Sequence, residues 1–207
     1  MKKILTLFML CVSVLCNAQR PVGSWNIQPK LGLNIATMTN DDTAEIRPAL
    51  TGGVEIEYFA TTNLTFSLGA LYSQQGCKSK SSGYKGTIKM DYINIPLMVN
   101  YYVANSLALK VGIQPGFLIN DKVEVNVNGV SAEVGLEESL KAVGYDANLK
   151  NVDVSIPIGL SYEFNNIQLD ARYNLGLTKT ISGVGIDPSK NSVFQFTIGY
   201  KLGLKKL

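Results

Sequence analysis

The residues that could carry acid–base, nucleophilic or metal chemistry are few in this sequence. It contains no histidine, which excludes every catalytic arrangement built on Ser–His, Asp–His or Cys–His pairs. Glu55 and Glu57 share one face of a predicted strand, two positions apart, so a paired-carboxylate hydrolase is one alternative, but lysines and an arginine share their polar series. Ion pairing is the simpler interpretation of these carboxylates. We therefore predict no enzyme activity, no catalytic residue, no cofactor and no metal site.

These charged residues belong to stretches in which polar and apolar residues alternate. The segment from Val152 to Leu177 predicts two strands joined by a turn at Asn165–Asn166, with apolar residues at every second position. Successive side chains of a strand point to opposite faces, so this hairpin has one apolar face and one polar face. Across all such stretches the polar face carries the charged residues Lys30, Lys110, Arg172, Lys201, Glu55, Glu57, Asp153, Glu163 and Asp170.

Eight strands of this kind follow one another along the chain. Their predicted limits are Trp25–Ile35, Ala49–Tyr58, Leu64–Gln74, Ile88–Val103, Leu107–Asn120, Val152–Phe164, Ile167–Leu177 and Ser192–Leu204. Short turns alternate with four long loops: Thr37–Arg47, Gly76–Thr87, Asp121–Lys150 and Thr178–Asn191. Outer-membrane barrels have this alternation, with short periplasmic turns and long extracellular loops. We predict an all-β fold, an eight-stranded antiparallel up-and-down transmembrane β-barrel.

Local signals refine this scheme. Asn128–Gly129 between alternating valines predicts a hairpin inside the loop Asp121–Lys150, and a short helix is predicted after it from the spacing of Leu136, Leu140 and Val143. Proline cannot donate to a strand ladder. A bulge or an irregular register is therefore predicted near each of the strand prolines, which are Pro96, Pro115 and Pro157.

Alternation alone does not decide whether the apolar face points inward or outward. Gly23–Ser24–Trp25 matches the short Gly-x-Trp signature of lipocalins, so a secreted lipocalin-like binder of apolar ligands is one alternative. A narrow solute or ion conduit is another. In a membrane, each basic residue facing lipid at the midplane would cost about 2–4 kcal/mol. We therefore predict that the charges point into a lumen that side chains fill, as they can in an eight-stranded barrel.

The N-terminus predicts export. Lys2–Lys3 precede an apolar run from Ile4 to Leu15 and small residues at Asn17–Ala18, which is the pattern of a secretory signal peptide. The run is shorter than the about 20 residues of a spanning helix. We predict that residues 1–18 are a signal peptide and that residues 19–207 are an outer-membrane β-barrel domain.

Cysteine use and charge limit the remaining possibilities. A lipoprotein anchor on Cys11 or Cys16 is the alternative to a cleaved signal, but the residues before each cysteine lack the small side chains of such sites. Cys77, predicted to lie in a loop, would then be the one cysteine of the mature chain, so no internal disulfide is expected. The formal net charge falls from +3 to +1 when the two signal lysines leave. No nucleic-acid partner is expected.

Several longer stretches carry a family resemblance. They are Asn17–Gln19, Lys30–Asn34, Tyr92–Leu97, Gly112–Gly116, Gly159–Phe164 and Leu169–Leu177. Together they resemble the PorT-like outer-membrane β-barrel proteins, a group of eight-stranded barrels. The resemblance implies an outer-membrane location and a barrel that accommodates Pro96, but no specific activity. The expected partners are the lipid bilayer and a protein that contacts the long extracellular loops, above all Asp121–Lys150.

Overall fold

The computed structural model describes residues 22–39, 44–81, 84–127, 130–136, 138–139, 147–183 and 186–204. The signal peptide predicted at residues 1–18 lies outside them and stays a prediction. Within the described ranges, no helix has the length and apolar character needed to cross a membrane.

Strands account for most of the described chain. In chain order they are β1 (Trp25–Met38), β2 (Ala44–Glu45), β3 (Arg47–Phe59), β4 (Leu64–Ser81), β5 (Tyr84–Asn94), β6 (Leu97–Ala104), β7 (Leu107–Val127), β8 (Val130–Val134), β9 (Ala147–Leu149), β10 (Val152–Phe164), β11 (Ile167–Gly176), β12 (Ile181–Gly183), β13 (Ile186–Ser189), β14 (Asn191–Tyr200) and β15 (Leu202–Leu204). β5 and β6 together make one barrel strand, and β14 continues into β15 as the last one.

The barrel closes because its last strand pairs with its first. Leu31 of β1 lies opposite Ile198 of β14, and every other wall strand pairs antiparallel with its neighbours in sequence. The predicted eight-stranded up-and-down barrel is confirmed. The Asn165–Asn166 turn is also confirmed, with Asn165 at a φ of 54°, a left-handed conformation that asparagine tolerates well.

The apolar face of the wall points outward. Leu31, Leu109 and Phe196 are between 49% and 64% exposed, while all nine charged residues of the predicted polar face are buried. Trp25 is 49% exposed on the outer surface, so its Gly-x-Trp context does not indicate a lipocalin. The lipocalin-like alternative is wrong because the interior of the described barrel is polar and its exterior is apolar.

The strands on one side of the barrel are longer than predicted. β4 and β5 continue in register through most of the predicted loop Gly76–Thr87, with Cys77 opposite Ile88 and Ser81 opposite Tyr84. The loop prediction was therefore wrong, as was the placement of Cys77 in a loop. The physical reason is that the outward apolar pattern stops at the membrane surface, whereas the strand ladder goes on beyond it.

The loop Asp121–Lys150 is also more ordered than predicted. β7 runs on to Val127 and turns into β8, with Val127 opposite Val130, so the predicted hairpin is confirmed although residues 128–129 lie outside the described ones. The Ser139 amide donates to the Gly135 carbonyl at 2.9 Å, which forms one helical turn. Leu140 and Val143 of the predicted helix lie outside the described residues.

A small separate sheet forms over the barrel end. β12 pairs with β9 on one side and with β13 on the other, so the predicted loop Thr178–Asn191 contains two short strands. Polar residues such as Thr180 and Ser189 interrupt the apolar alternation, which explains why these strands were not predicted.

The irregularity predicted at Pro96 is confirmed. The wall strand is interrupted at Ile95 and Pro96 between β5 and β6, and the register shifts at Asp91/Tyr92. The Pro96 carbonyl still accepts from the Gly69 amide at 2.9 Å, so only the missing donor is lost to the ladder.

The irregularity predicted at the two other prolines takes a milder form. Pro115 lies opposite Val154, and pairing of β10 with β7 lapses only at Ile156 and Pro157. The register is the same on both sides of this gap, so the predicted bulge is wrong there. Such a gap accommodates proline, which has no amide hydrogen to donate, and it does so without a change of register.

Candidate functional site: the filled lumen and the extracellular extension

Five charged side chains meet in the middle of the lumen, and we call them the mid-lumen cluster: Lys30, Glu55, Lys110, Asp170 and Arg172. Lys30 Nζ lies 3.0 Å from Glu55 Oε2, and Lys110 Nζ lies 2.5 Å from Asp170 Oδ2. Arg172 Nε donates to Asp170 Oδ1 at 2.8 Å, and its Nη2 to Glu55 Oε2 at 3.3 Å. All five side chains are at most 1% exposed. Strands β1, β3, β7 and β11 are thus tied together across the barrel.

A second cluster closes the lumen at the end with the short turns, and we call it the periplasmic plug: Glu57, Phe59, Tyr102, Glu163 and Lys201. Lys201 Nζ lies 2.7 Å from Glu57 Oε2 and is also paired with Glu163. The Tyr102 hydroxyl lies 2.5 Å from Glu163 Oε1 and 3.0 Å from Glu57 Oε1. Lys201 Nζ also sits 5.7 Å from the centre of the Phe59 ring, within the range of a cation–π contact. Charge and aromatic packing together close this end.

The two clusters have opposite charge imbalances. The mid-lumen cluster holds three basic and two acidic groups, whereas the periplasmic plug holds one basic and two acidic groups. Together they are neutral. Buried charges are stable only when they are paired and hydrogen-bonded, and Glu57 accordingly accepts further hydrogen bonds from Asn26, Gln28, Thr65 and Asn100.

The opposite end of the lumen is closed by apolar residues, and we call this group the extracellular cap: Met38, Cys77, Met90, Tyr92, Leu136 and Ile181. Met38, Cys77 and Met90 come from wall strands. Leu136 and Ile181 come from the two long connections and are 2% and 6% exposed. Just below, Asn191 Nδ2 donates to Asp153 Oδ2 at 2.9 Å and to the Tyr92 hydroxyl at 3.3 Å. The long connections are therefore anchored in the barrel mouth.

Beyond the membrane, the prolonged strands form what we call the extension sheet: β2, residues 76–81 of β4, residues 84–90 of β5, residues 121–127 of β7, and β8. Its inner face contributes Cys77 and Met90 to the extracellular cap. Its outer face carries an ion network in which Lys89 Nζ lies 2.7 Å from Glu124 and 2.5 Å from Glu133. Lys122 lies 3.4 Å from the same Glu133. The network joins three adjacent strands, β5, β7 and β8.

Hydrogen bonds within this network move the pKa values of its members apart. Bonds to Glu124 and then Glu133 raise the pKa of Lys89 above its ordinary value. Bonds from Lys89 and Lys122 lower the pKa of the Glu133 carboxyl. Both shifts favour the charged forms, so the network is complete at neutral pH.

The nine charges predicted for the polar face all lie in the lumen, but they do not form a catalytic pair. Glu55 and Glu57 belong to different clusters, and basic or amide groups surround each of them. Among the described residues, no group of three or more acidic or cysteine side chains is placed to hold a metal ion. The extracellular cap was not predicted from the sequence. It could have been predicted from the apolar residues at alternate positions of β5, which are Ile88, Met90 and Tyr92.

An outward apolar wall, a charged and filled lumen and a one-sided extracellular extension define a β-barrel of the outer membrane. Residues 17–182 match the family described as the outer membrane protein beta-barrel domain, and the chain belongs to that family. Comparison with curated protein sequences finds no match.

The chain also has similarity to solved structures from several bacteria. Ail, the attachment invasion locus protein of Yersinia pestis, is 13% identical over 88% of this chain and 100% of its own, with a TM-score of 0.51. OprG of Pseudomonas aeruginosa is 15% identical over 87% of this chain and 96% of its own, with a TM-score of 0.44. The outer membrane protein W of E. coli is 15% identical over 88% of this chain and 100% of its own, with a TM-score of 0.38. The 13% identity to Ail bears on the fold alone.

Proposed function

We propose that this outer-membrane barrel has a structural or recognition role without catalysis, in which the extension sheet and the long connections are presented to a protein partner. The observation that carries the proposal is the contrast between a closed lumen and an ordered exterior. The lumen is filled by the mid-lumen cluster and closed by the periplasmic plug and the extracellular cap. Ordered strands outside the membrane cost conformational entropy, and a preorganised surface reduces the entropy lost on binding.

Two finer assignments accompany this proposal. The motifs Tyr92–Leu97 and Leu169–Leu177 support membership of the PorT-like group within the family. The Lys2–Lys3 start and the following apolar run support residues 1–18 as a cleaved signal peptide. N-terminal sequencing of the protein from outer membranes would test the second assignment, with Gln19 expected as the first residue.

Site-specific photocrosslinking in the native cell tests the recognition role. A crosslinking amino acid at Thr87 or Lys122, on the outer face of the extension sheet, is expected to give one discrete adduct with another protein. The matched control places the same amino acid at Leu109, which is 52% exposed on the lipid-facing wall. A partner adduct at neither extension position, or equal adducts at all three, would overturn the proposal.

The conduit alternative is tested separately by conductance in planar bilayers. Charged side chains packed together in the lumen, with closure at both ends, predict no steady single-channel current for the intact protein. Lys201→Ala with Tyr102→Ala opens the periplasmic plug while leaving the mid-lumen cluster in place. Steady current through the unmodified protein would favour the conduit over the recognition role.

A further inference from the structure

The extension sheet has two outer edges, formed by β2 and β8, and they differ in how well they are protected. β2 pairs with β4 and β8 pairs with β7. An edge strand presents unpaired amide and carbonyl groups, which proteins usually protect by short strands, prolines or charges. β2 has two residues and is followed closely by Pro48, whereas β8 has five residues and no proline. The edge at β8 is therefore the less protected one.

The exposure of β8 is that of a strand open along one side. Ala132, Glu133 and Val134 are consecutive and all three are exposed, although successive residues of a strand point to opposite faces. Among the described residues, no strand pairs with the side of β8 that faces away from β7. Both faces of the sheet are accessible next to this edge.

The register with β7 determines which backbone groups of β8 point to the open edge. Val127 and Val130 are separated by two residues and lie opposite each other, and such a pair exchanges hydrogen bonds in a two-residue hairpin. Hydrogen-bonded and non-hydrogen-bonded pairs alternate along an antiparallel ladder. Ser131 and Glu133 therefore turn their amides and carbonyls away from β7, at the spacing that an added strand requires.

The charged side chain of β8 does not protect this edge. Glu133 lies 2.5 Å from Lys89 of β5 and 3.4 Å from Lys122 of β7. Lys89 is also paired with Glu124 at 2.7 Å. Two lysines thus balance two glutamates, and the Glu133 carboxylate points back across the sheet. A balanced network of this kind does not repel an approaching strand.

The inner face of the extension sheet determines what the added strand must carry. Val134 lies opposite Val123 of β7, and Val123 packs against the extracellular cap. Val134 extends this apolar surface by one strand and is 43% exposed at its margin. An added strand would cover Val134 with an apolar side chain and place polar side chains beside Glu133. An acidic residue at that position would destabilise the pairing, because like charges on adjacent strands repel.

We propose that β8 binds an extended segment of a protein partner as an additional strand, with apolar residues at alternate positions and no acidic residue beside Glu133. The proposal rests on the recognition role proposed above and names its site and the chemistry of the partner. A second copy of this chain fits less well. Copies in one membrane hold their β8 strands in the same direction, so the more stable antiparallel pairing is not available to them.

Peptide binding to the purified full-length protein in detergent tests this site. The probe is a fluorescent peptide in which valine alternates with threonine and lysine, and the control peptide has the same composition without alternation. We expect a saturable change of anisotropy with the alternating peptide alone. Hydrogen exchange of the Ser131 and Glu133 amides should slow when it binds. Equal binding of the two peptides, or binding of neither, would overturn the proposal.

Proline substitutions separate backbone pairing from charge. Glu133→Pro removes an amide that points to the open edge and should weaken peptide binding roughly tenfold or more. Glu133→Gln loses the same carboxylate but keeps the amide, so it is the matched control and should bind nearly as well as the unmodified protein. Ser131→Pro removes the other outward amide and should also weaken binding. Protected amides at Val130 and Val134 verify that the hairpin is intact, and binding unaffected by either proline would overturn the proposal.

Crosslinking in the cell distinguishes this proposal from the recognition role itself. The partner adduct expected at Lys122 should be lost in Glu133→Pro and retained in Glu133→Gln. An adduct that persists in Glu133→Pro would overturn strand addition and leave the recognition role in place. The recognition role fails on a different result, which is the absence of a partner adduct at both Thr87 and Lys122.

Discussion

The membrane-spanning part of the barrel and the extension sheet are built from the same strands with opposite polarity. On β5, Asn94 is buried in the lumen and Ile93 is half-buried on the opposite, lipid-facing side, whereas toward the extracellular end of the strand Met90 is buried inward and Lys89 lies on the outer face. The alternation of side chains continues, but the apolar residues change face. The change occurs near Asp91, where the ladder with β7 also shifts register.

The apolar residues change face because lipid surrounds the membrane-spanning part of the barrel, whereas water surrounds the extension sheet. Lipid favours apolar side chains outward and leaves the polar ones to pair with one another inside. Water outside the membrane favours the reverse, so the extension has an apolar inner face and a charged outer face. The same rule explains why ion pairs are fully buried in the mid-lumen cluster and partly exposed around Glu133. Ion pairs should accordingly matter far more in the lumen than on the extension.

The largest expected effect comes from removing a carboxylate from the mid-lumen cluster, which already holds three basic groups against two acidic ones. Glu55→Gln keeps the side-chain shape but leaves Lys30, Lys110 and Arg172 facing only Asp170, so we expect the free energy of unfolding to fall by about 3–5 kcal/mol. Arg172→Met removes one of the three cations and leaves two opposite pairs, so its cost should be smaller. Urea unfolding in liposomes measures both. A larger loss for Arg172→Met would mean that the hydrogen bonds of the guanidinium, and not the excess of positive charge within the cluster, decide the effect.

A second expected effect tests the inversion itself. Val54→Arg places a charge on the lipid-facing side of β3, where Val54 is 41% exposed, and should cost about 2–4 kcal/mol near the midplane. Thr87→Arg places the same group on the outer face of the extension opposite Glu124 and should cost little. Equal losses in the free energy of unfolding would mean that the outside of both regions is the same solvent.

The membrane-spanning strands were predicted well because lipid requires an apolar side chain at every second position of each strand. Leu31, Leu109 and Phe196 were assigned to the apolar series that the structure places outward, and the nine charges were assigned to the lumen. The alternation of apolar and polar residues predicts the strands, and it can be recognised within short stretches of the sequence. The division of the charges into two clusters was not predictable, since it depends on which residues meet across the barrel, such as Lys110 and Asp170.

The extension and the rim were predicted less well, for a physical reason. Strand limits were placed where the outward apolar residues end, so β4 was stopped at Gln74 although it continues to Ser81. Outside lipid, a strand can present lysines such as Lys78 and still pair with its neighbour. Leu136 and Ile181 come from separate connections and meet in one apolar cluster, and no local pattern specifies that arrangement.

A smaller effect is expected at the extracellular cap, where the extension meets the long connections. Ile181→Val removes one methylene from a side chain that is 6% exposed and should cost about 0.5–1.5 kcal/mol. The loss should be local, so hydrogen exchange should accelerate in β12 and β9 while the barrel amides stay protected. Ile46→Val, at a residue 60% exposed, is the matched control. Acceleration throughout the barrel would show that the cap is part of one cooperative unit with the wall.

The smallest effect is expected for the ion network on the outer face of the extension. The pKa of Glu133 is lowered in the folded protein, so its stabilising contribution is present above the ordinary value of 4.5 and is lost as the pH falls through the lowered pKa. The pKa of Lys89 is raised, so its contribution is present below 10.5 and is lost as the pH rises through the raised value. Hydrogen exchange of β8, corrected for its intrinsic pH dependence, should therefore be slowest between these limits.

Glu133→Gln should reproduce the acid state of this network at neutral pH. Because the network is partly exposed and screened by salt, we expect exchange in β8 to accelerate by less than about fivefold. Lys30 and Asp170 in the lumen provide the contrast, since solvent does not screen them. The contrary result is that Glu133→Gln destabilises β8, judged by hydrogen exchange, by as much free energy as Glu55→Gln removes from the unfolding of the barrel. Solvent exposure would then not explain the difference between the two kinds of ion pair.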